Sequence, residues 1–146
     1  MKQLSATYAA LTAAVLTAAV ALPAAASTGT TSGGASPTPT PEEQRTAQQA
    51  RTADYKPVRA TWYGPGLYGN RLACGGKLTR HTLGVAHKRL PCGTKVALKY
   101  RGRTVVVTVV DRGPYSHGVD YDLTEATARK LGMRQTSRLG AAPLNH

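Results

Sequence analysis

The chain has 146 residues, with 19 Lys and Arg against 7 Asp and Glu, so there is room for one folded domain, carrying a net charge of +12. An absence of Phe, with 15 Gly and 9 Pro, suits short strands and loops and excludes a coiled coil or helix bundle. The longest apolar run, Ala9 to Leu22, would cover only about 21 Å of a roughly 30 Å bilayer core, so no spanning helix is written.

Lys2, that apolar run and Ala24-Ala25-Ala26 supply the charge, hydrophobic stretch and small-residue site of a secretory signal peptide at residues 1–26. No Cys follows the cleavage site to carry a lipid, and no twin-Arg pair precedes the run. A buried N-terminal helix is the rival reading, but the next thirty residues lack the apolar surface to cover it. Residues 27–57 are rich in Ser, Thr, Pro and Gln, with Tyr55 their only large apolar side chain, and read as a disordered linker. The Pro-Thr repeat from Pro37 to Pro41 favours an extended spacer, and Glu42 to Ala53 has the composition of a transient helix without a continuous apolar face.

Residues 58–146 form the expected domain, small enough that a covalent staple would help. In an exported chain Cys74 and Cys92 read as one disulfide closing a loop of about 18 residues, worth roughly 3 kcal/mol. The rival is a metal site of Cys74, His81, His87 and Cys92, whose spacing fits no standard zinc pattern; no metal or other cofactor is expected. This stretch holds fifteen Lys or Arg against Asp111, Asp120, Asp122 and Glu125. Such a field recruits polyanions, which for an exported protein are wall polymers or acidic lipids rather than nucleic acid; the other reading is solubility alone.

Strands are expected at Arg59 to Tyr63, Leu83 to His87, Lys95 to Tyr100 and Arg103 to Val110, with Arg101-Gly102 as the turn between the last two. The run Thr104 to Val110 is apolar on both faces, which makes it a central strand whose end delivers Asp111 and the Arg112-Gly113-Pro114 turn. Thr124 caps a short helix, Glu125 to Leu131, with Glu125 and Arg129 paired and Gly132 as its stop. A last strand is expected at roughly Ser137 to Ala142, where Arg138, Leu139 and Ala141 would do the pairing.

The segments ATWYGPGLYGNRLACGG, TLGVAHKRLPCGTKV and VVVTVVDRGPYSHGVDYDLTEATARKLGM, in that order, resemble the double-psi β-barrel of the rare lipoprotein A family and the first domain of expansins. The resemblance covers about Arg59 to Met133. It implies a mainly β fold, a six-stranded double-psi β-barrel with one or two short helices and a shallow groove for polysaccharide. Carried over by position, it implies catalytic roles for Asp111 of the Asp-Arg-Gly-Pro motif, for Asp122 of Tyr121-Asp122-Leu123-Thr124 and for His87 of Val85-Ala86-His87. It also implies sugar contacts from Trp62 and Tyr63, with Tyr115, Tyr121 and Arg112 as further candidates. One departure matters: family members that cleave glycan carry a Glu just after a short Ala-x-Gly stretch, and here Gly76 and Lys77 follow Ala73-Cys74-Gly75.

Glycoside hydrolysis takes two carboxylates, one protonating the leaving oxygen and one serving as nucleophile or activating water. Lytic transglycosylation asks less, because the sugar's own 6-hydroxyl attacks and one carboxylic acid can act first as acid and then as base. A partly dry groove would hold Asp122 protonated, while cations such as Arg112 push the other way. The structural alternatives are a turn-bonding role for Asp111, a helix N-terminal role for Asp122, a packed His87, and core packing for one of Trp62 and Tyr63. Two functions follow for a secreted, monomeric wall protein whose partner is peptidoglycan or a related anionic polysaccharide, with no membrane insertion after cleavage. One is a lytic transglycosylase; the other is an expansin-like binding or wall-loosening module that breaks no covalent bond.

Overall fold

The computed structural model describes residues 38–144, so the expected signal peptide and residues 27–37 of the expected linker lie outside the described residues. The elements in chain order are α1 (Pro41–Thr52), β1 (Lys56–Tyr63), β2 (Gly84–His87), β3 (Lys95–Tyr100), β4 (Arg103–Asp111), β5 (Tyr121–Thr124), α2 (Glu125–Leu131) and β6 (Ser137–Pro143). No helix among the described residues is long and apolar enough to cross a membrane.

The six strands close into a barrel in the order β1-β5-β2-β4-β3-β6, the mixed six-stranded architecture that the resemblance implies. β1 with β5 and β2 with β4 are parallel, and the remaining neighbours are antiparallel. Alternation does the sorting: Ala60, Val85, Val96, Leu98, Val107, Val109 and Leu123 point inward and are buried. β6 completes the ring, with Leu139 opposite Val58 of β1 and Ala141 opposite Leu98 of β3. Its small residues suffice because Leu139 and Ala141 alone face the core, where both are buried.

Five of the six strands and α2 fall close to where local pattern puts them. β5 is the exception. Its four residues carry no alternation long enough to read, and they are held as a strand by β1 on one side and β2 on the other. The stretch expected as a linker up to residue 57 also acquires regular structure at its end. Residues 41–52 form α1, started by Pro41 and by a capping box in which Thr40 and Glu43 exchange hydrogen bonds. Tertiary contact makes up for the missing apolar face: Ala50 packs with Ala97 and Leu144, and the Tyr55 hydroxyl donates to the Ala50 carbonyl at 2.7 Å.

α2 is built as its sequence suggests, with Thr124 accepting from the Thr127 amide and Gly132 closing the helix at φ 74°. The hydroxyls of Thr124 and Thr127, both fully buried, also bind the backbone of Gly84, fastening the helix start to β2. Gly64 is required at the end of β1, since a Cβ there would lie 2.6 Å from the Glu125 Cβ.

Candidate functional site

β1, β5, β2 and β4 lie side by side, and their register sets Thr61, Asp122, Ala86 and Asp111 in one row across the outside of the barrel. Asp111 joins this row through a β-bulge. Val109 faces the core, so on a regular strand Asp111, two residues on, would face it too. The pairing instead shifts between Val85 and Ala86, leaving Val110 as the extra residue and turning Asp111 outward beside Ala86. Gly84 makes room for this, because a Cβ on it would meet the Val110 side chain at 2.4 Å.

The two aspartates stand on strands separated only by β2, about 10 Å between backbones. Between them the small side chain of Ala86 forms the floor of a cleft of about 250 Å³, walled by Tyr63, Leu72, Leu78 and Arg112. Asp111 is anchored: its Oδ1 accepts from the amides of Ala73 and Arg112, both at 2.9 Å, and its Oδ2 faces the Tyr63 hydroxyl at 3.4 Å. Asp122 is freer. Its Oδ1 accepts from the Thr61 hydroxyl at 2.6 Å, and its Oδ2 has no hydrogen-bond partner among the described residues. Since no buried side-chain oxygen among them lacks a partner, that atom is open to solvent in the cleft.

Burial pushes the Asp122 carboxyl above the usual carboxylate range, the Thr61 hydrogen bond opposes this, and the nearby charge of Asp111 adds to the rise. Tyr63 is pushed far up by burial and by both aspartates, so it remains a neutral phenol and a hydrogen-bond donor. The cleft therefore pairs a carboxyl that holds its proton to higher pH with one fixed in place by donors.

His87 lies apart from this cleft. It follows Ala86 on the strand, so alternation sends its ring to the opposite face, against Tyr121 at 4.7 Å between centroids. Its Nδ1 accepts from the amides of Arg89 and Leu90 at 3.1 and 2.9 Å, which ties the ring to the turn after β2. Burial, then the charge of Arg89, lower its pKa. Tyr121, expected as a sugar contact, is 4% exposed and part of the core, since it shares the inward face with Leu123. Trp62 and Tyr63 divide as alternation requires: Tyr63 walls the cleft, while Trp62, 36% exposed, turns away and donates from Nε1 to the Arg134 carbonyl. Tyr115 is 84% exposed on the loop before β5 and does not line the cleft.

Arg112 reaches the cleft wall, but its guanidinium braces the loop between β2 and β3 by donating to the carbonyls of His87 and Leu90. It also meets the Sγ of Cys92 at 3.1 Å. Cys92 is joined to Cys74, so neither thiol is available for the rival metal site of Cys74, His81, His87 and Cys92. The bridge holds the Ala73 turn, which supplies a donor to Asp111, and Gly75, Gly76 and Lys77 bring no carboxylate to it. Thr61 and Ala86 are parts of the site that the sequence reading did not single out. Only the register of β5 between β1 and β2 brings them to Asp122.

Residues 56–145 match the family model described as lytic transglycolase. A probable endolytic peptidoglycan transglycosylase RlpA of Aquifex aeolicus is 46% identical over 76 residues, covering 51% of this chain and 34% of that protein. The chain thus matches about a third of the length of this curated relative. Among solved structures, the Streptomyces papain inhibitor superposes with a TM-score of 0.50 and 24% identity, over 63% of this chain and 96% of its own. A mutant Clavibacter michiganensis expansin in complex with cellohexaose superposes with a TM-score of 0.51 and 23% identity, over 63% of this chain and 51% of its own. At these identities the structural likeness is one of fold, the double-psi β-barrel.

Proposed function

The chain belongs to the lytic transglycolase family, and from that premise we propose that it is an exported cell-wall protein whose cleft cleaves peptidoglycan glycan strands by lytic transglycosylation. The observation that carries the reading is the partly buried Asp122, with its pKa raised and one oxygen free in the cleft beside the anchored Asp111. The signal-peptide pattern at residues 1–26 supports export, and the A. aeolicus relative, named for peptidoglycan transglycosylation, supports the substrate.

In this mechanism Asp122 gives its proton to the glycosidic oxygen as the bond from the anomeric carbon breaks. The 6-hydroxyl of the same sugar then bonds to that carbon and returns its proton to Asp122, leaving a 1,6-anhydro end and an unchanged enzyme. No water is consumed, so no second carboxylate is needed to activate one. Asp111 supplies negative charge opposite the developing positive charge at the anomeric carbon, and its charge adds to the burial that raises the Asp122 pKa. Tyr63 and Arg112 form walls against which a sugar ring can lie.

A second reading, a non-catalytic expansin-like module, is favoured by one observation: Gly76 and Lys77 stand where the family resemblance implies a Glu in members that cleave glycan. Incubation of the protein with native and with stem-peptide-stripped peptidoglycan, followed by mass spectrometry of the soluble fraction, separates the two. Anhydro-muramyl fragments are expected; co-sedimentation with the wall without any soluble fragment would favour the second reading.

A further inference from the structure

Away from the cleft, the outer face of β1, β6 and β3 carries cations in neighbouring positions. Arg59 of β1 and Arg138 of β6 are direct cross-strand partners, so both side chains stand on the same side of the sheet. Two residues along β6, about 7 Å away, Gly140 pairs with Lys99 of β3, placing Lys99 on that face as well. Arg101 follows in the turn after β3, and Lys99, Arg101 and Arg138 line one shallow hollow. Like charges directly opposite each other on paired strands are destabilising unless something neutralises them. Among the described residues no ion pair does: those present are Lys56 with Asp54 and Arg129 with Glu125. The Asp120 carboxylate accepts from the Arg59 backbone amide and forms no ion pair with its guanidinium among the described residues.

The hollow is also built to hold more than a counter-ion. Tyr55 forms one wall, its ring lying over Gly140, where a Cβ would come within 3.3 Å of it. Lys99 Nζ sits 5.7 Å from the Tyr55 ring centroid, and Arg101 Cζ lies 5.3 Å from that of Tyr100. Solubility alone would intersperse both signs of charge. Here cations and aromatic walls share one face, and the charges follow a track rather than converge on one point. That fits a ligand with an anionic group in every backbone repeat.

We propose that this face is a second binding site, distinct from the aspartate cleft, for a linear phosphodiester polymer of the wall. Arg59 and Arg138 would fork one phosphate, Lys99 and Arg101 would take the next, and Tyr55 would cover the intervening apolar atoms. That such a polymer is the natural ligand rests on the wall reading above; the site itself does not.

The test is titration of the purified full chain with polyglycerol phosphate in 0.1 M salt, with poly-glutamate and phosphatidylglycerol vesicles as comparators. At roughly fivefold per cation near an anionic surface, R101Q/R138Q is expected to weaken polymer binding about 25-fold. K88Q/R89Q, which removes the same charge from the loop after β2, should weaken it by less than about threefold. Glycan release from peptidoglycan by R101Q/R138Q should match wild type, so that failure of this site and failure of the cleft reading show up in different assays. Equal weakening by both double variants would overturn the proposal by reducing it to net charge. Equal affinity for poly-glutamate, or preference for the vesicles, would overturn it as well.

Discussion

Replacing Thr61 by Val removes the one hydrogen bond that opposes the rise of the Asp122 pKa while keeping the shape of the side chain. The bond is short, 2.6 Å from Oγ1 to Oδ1, the length of a hydroxyl donating to a charged carboxylate. Such bonds contribute about 1.5–3 kcal/mol, against about 1 kcal/mol between neutral groups. Because the cleft is open to solvent, the low end applies, so T61V should cost about 1.5 kcal/mol when Asp122 is ionised and about 1 kcal/mol when it is protonated. For a domain of this size the first figure is roughly 6–12 °C in Tm. The sign follows from linkage. Asp122 already has a raised folded pKa, so its ionisation destabilises the fold as pH climbs through its folded value, and T61V makes that loss larger. Thermal melts at pH 3 and pH 7, with the Asp122 carboxyl carbon followed by NMR, would show a gap that widens with pH and a midpoint displaced upward. A cost independent of pH, or a midpoint that moves down, would refute the account of Asp122.

Three further outcomes follow from the geometry. Gly84→Ala should destabilise the domain by about 1–3 kcal/mol in urea melts, because the added Cβ meets Val110 at 2.4 Å and Thr108 O at 3.1 Å. Replacing Cys74 and Cys92 together by Ser should cost about 3 kcal/mol, the value for a loop of this length, and raise hydrogen exchange at the Ala73 amide that holds Asp111. His87→Ala should lower Tm, since two amides lose their acceptor, yet leave the pH profile of glycan release unchanged.

The long strands could be read because they write their own pattern: β3 and β4 are runs rich in Val and other apolar residues, and Arg101-Gly102 marks their turn, whereas their closure into a barrel came from the family resemblance. β5 could not be read from local pattern. A four-residue strand between two partners depends on tertiary pairing, and it alone brings Asp122 into line with Thr61 and Ala86. Asp111 was legible as a residue at a strand end, but its outward turn depends on the bulge at Val110, which no spacing rule announces. The same gap explains His87 and Tyr121. Motif position drew both toward the groove, whereas strand alternation stacks them together on the inner side. α1 went unread as a packed element because its sequence has no continuous apolar face, and one alanine with Tyr55 is enough to seat it.

The most direct test of the central claim is the rate of anhydro-muramyl release by Asp122→Asn beside wild type, with co-sedimentation on the wall measured in the same samples. Asn keeps the Thr61 contact and the shape of the cleft but cannot shuttle a proton. The account predicts a loss of roughly 10²-fold or more in release with wall binding unchanged. Release at the wild-type rate would contradict it and move the chemistry away from Asp122.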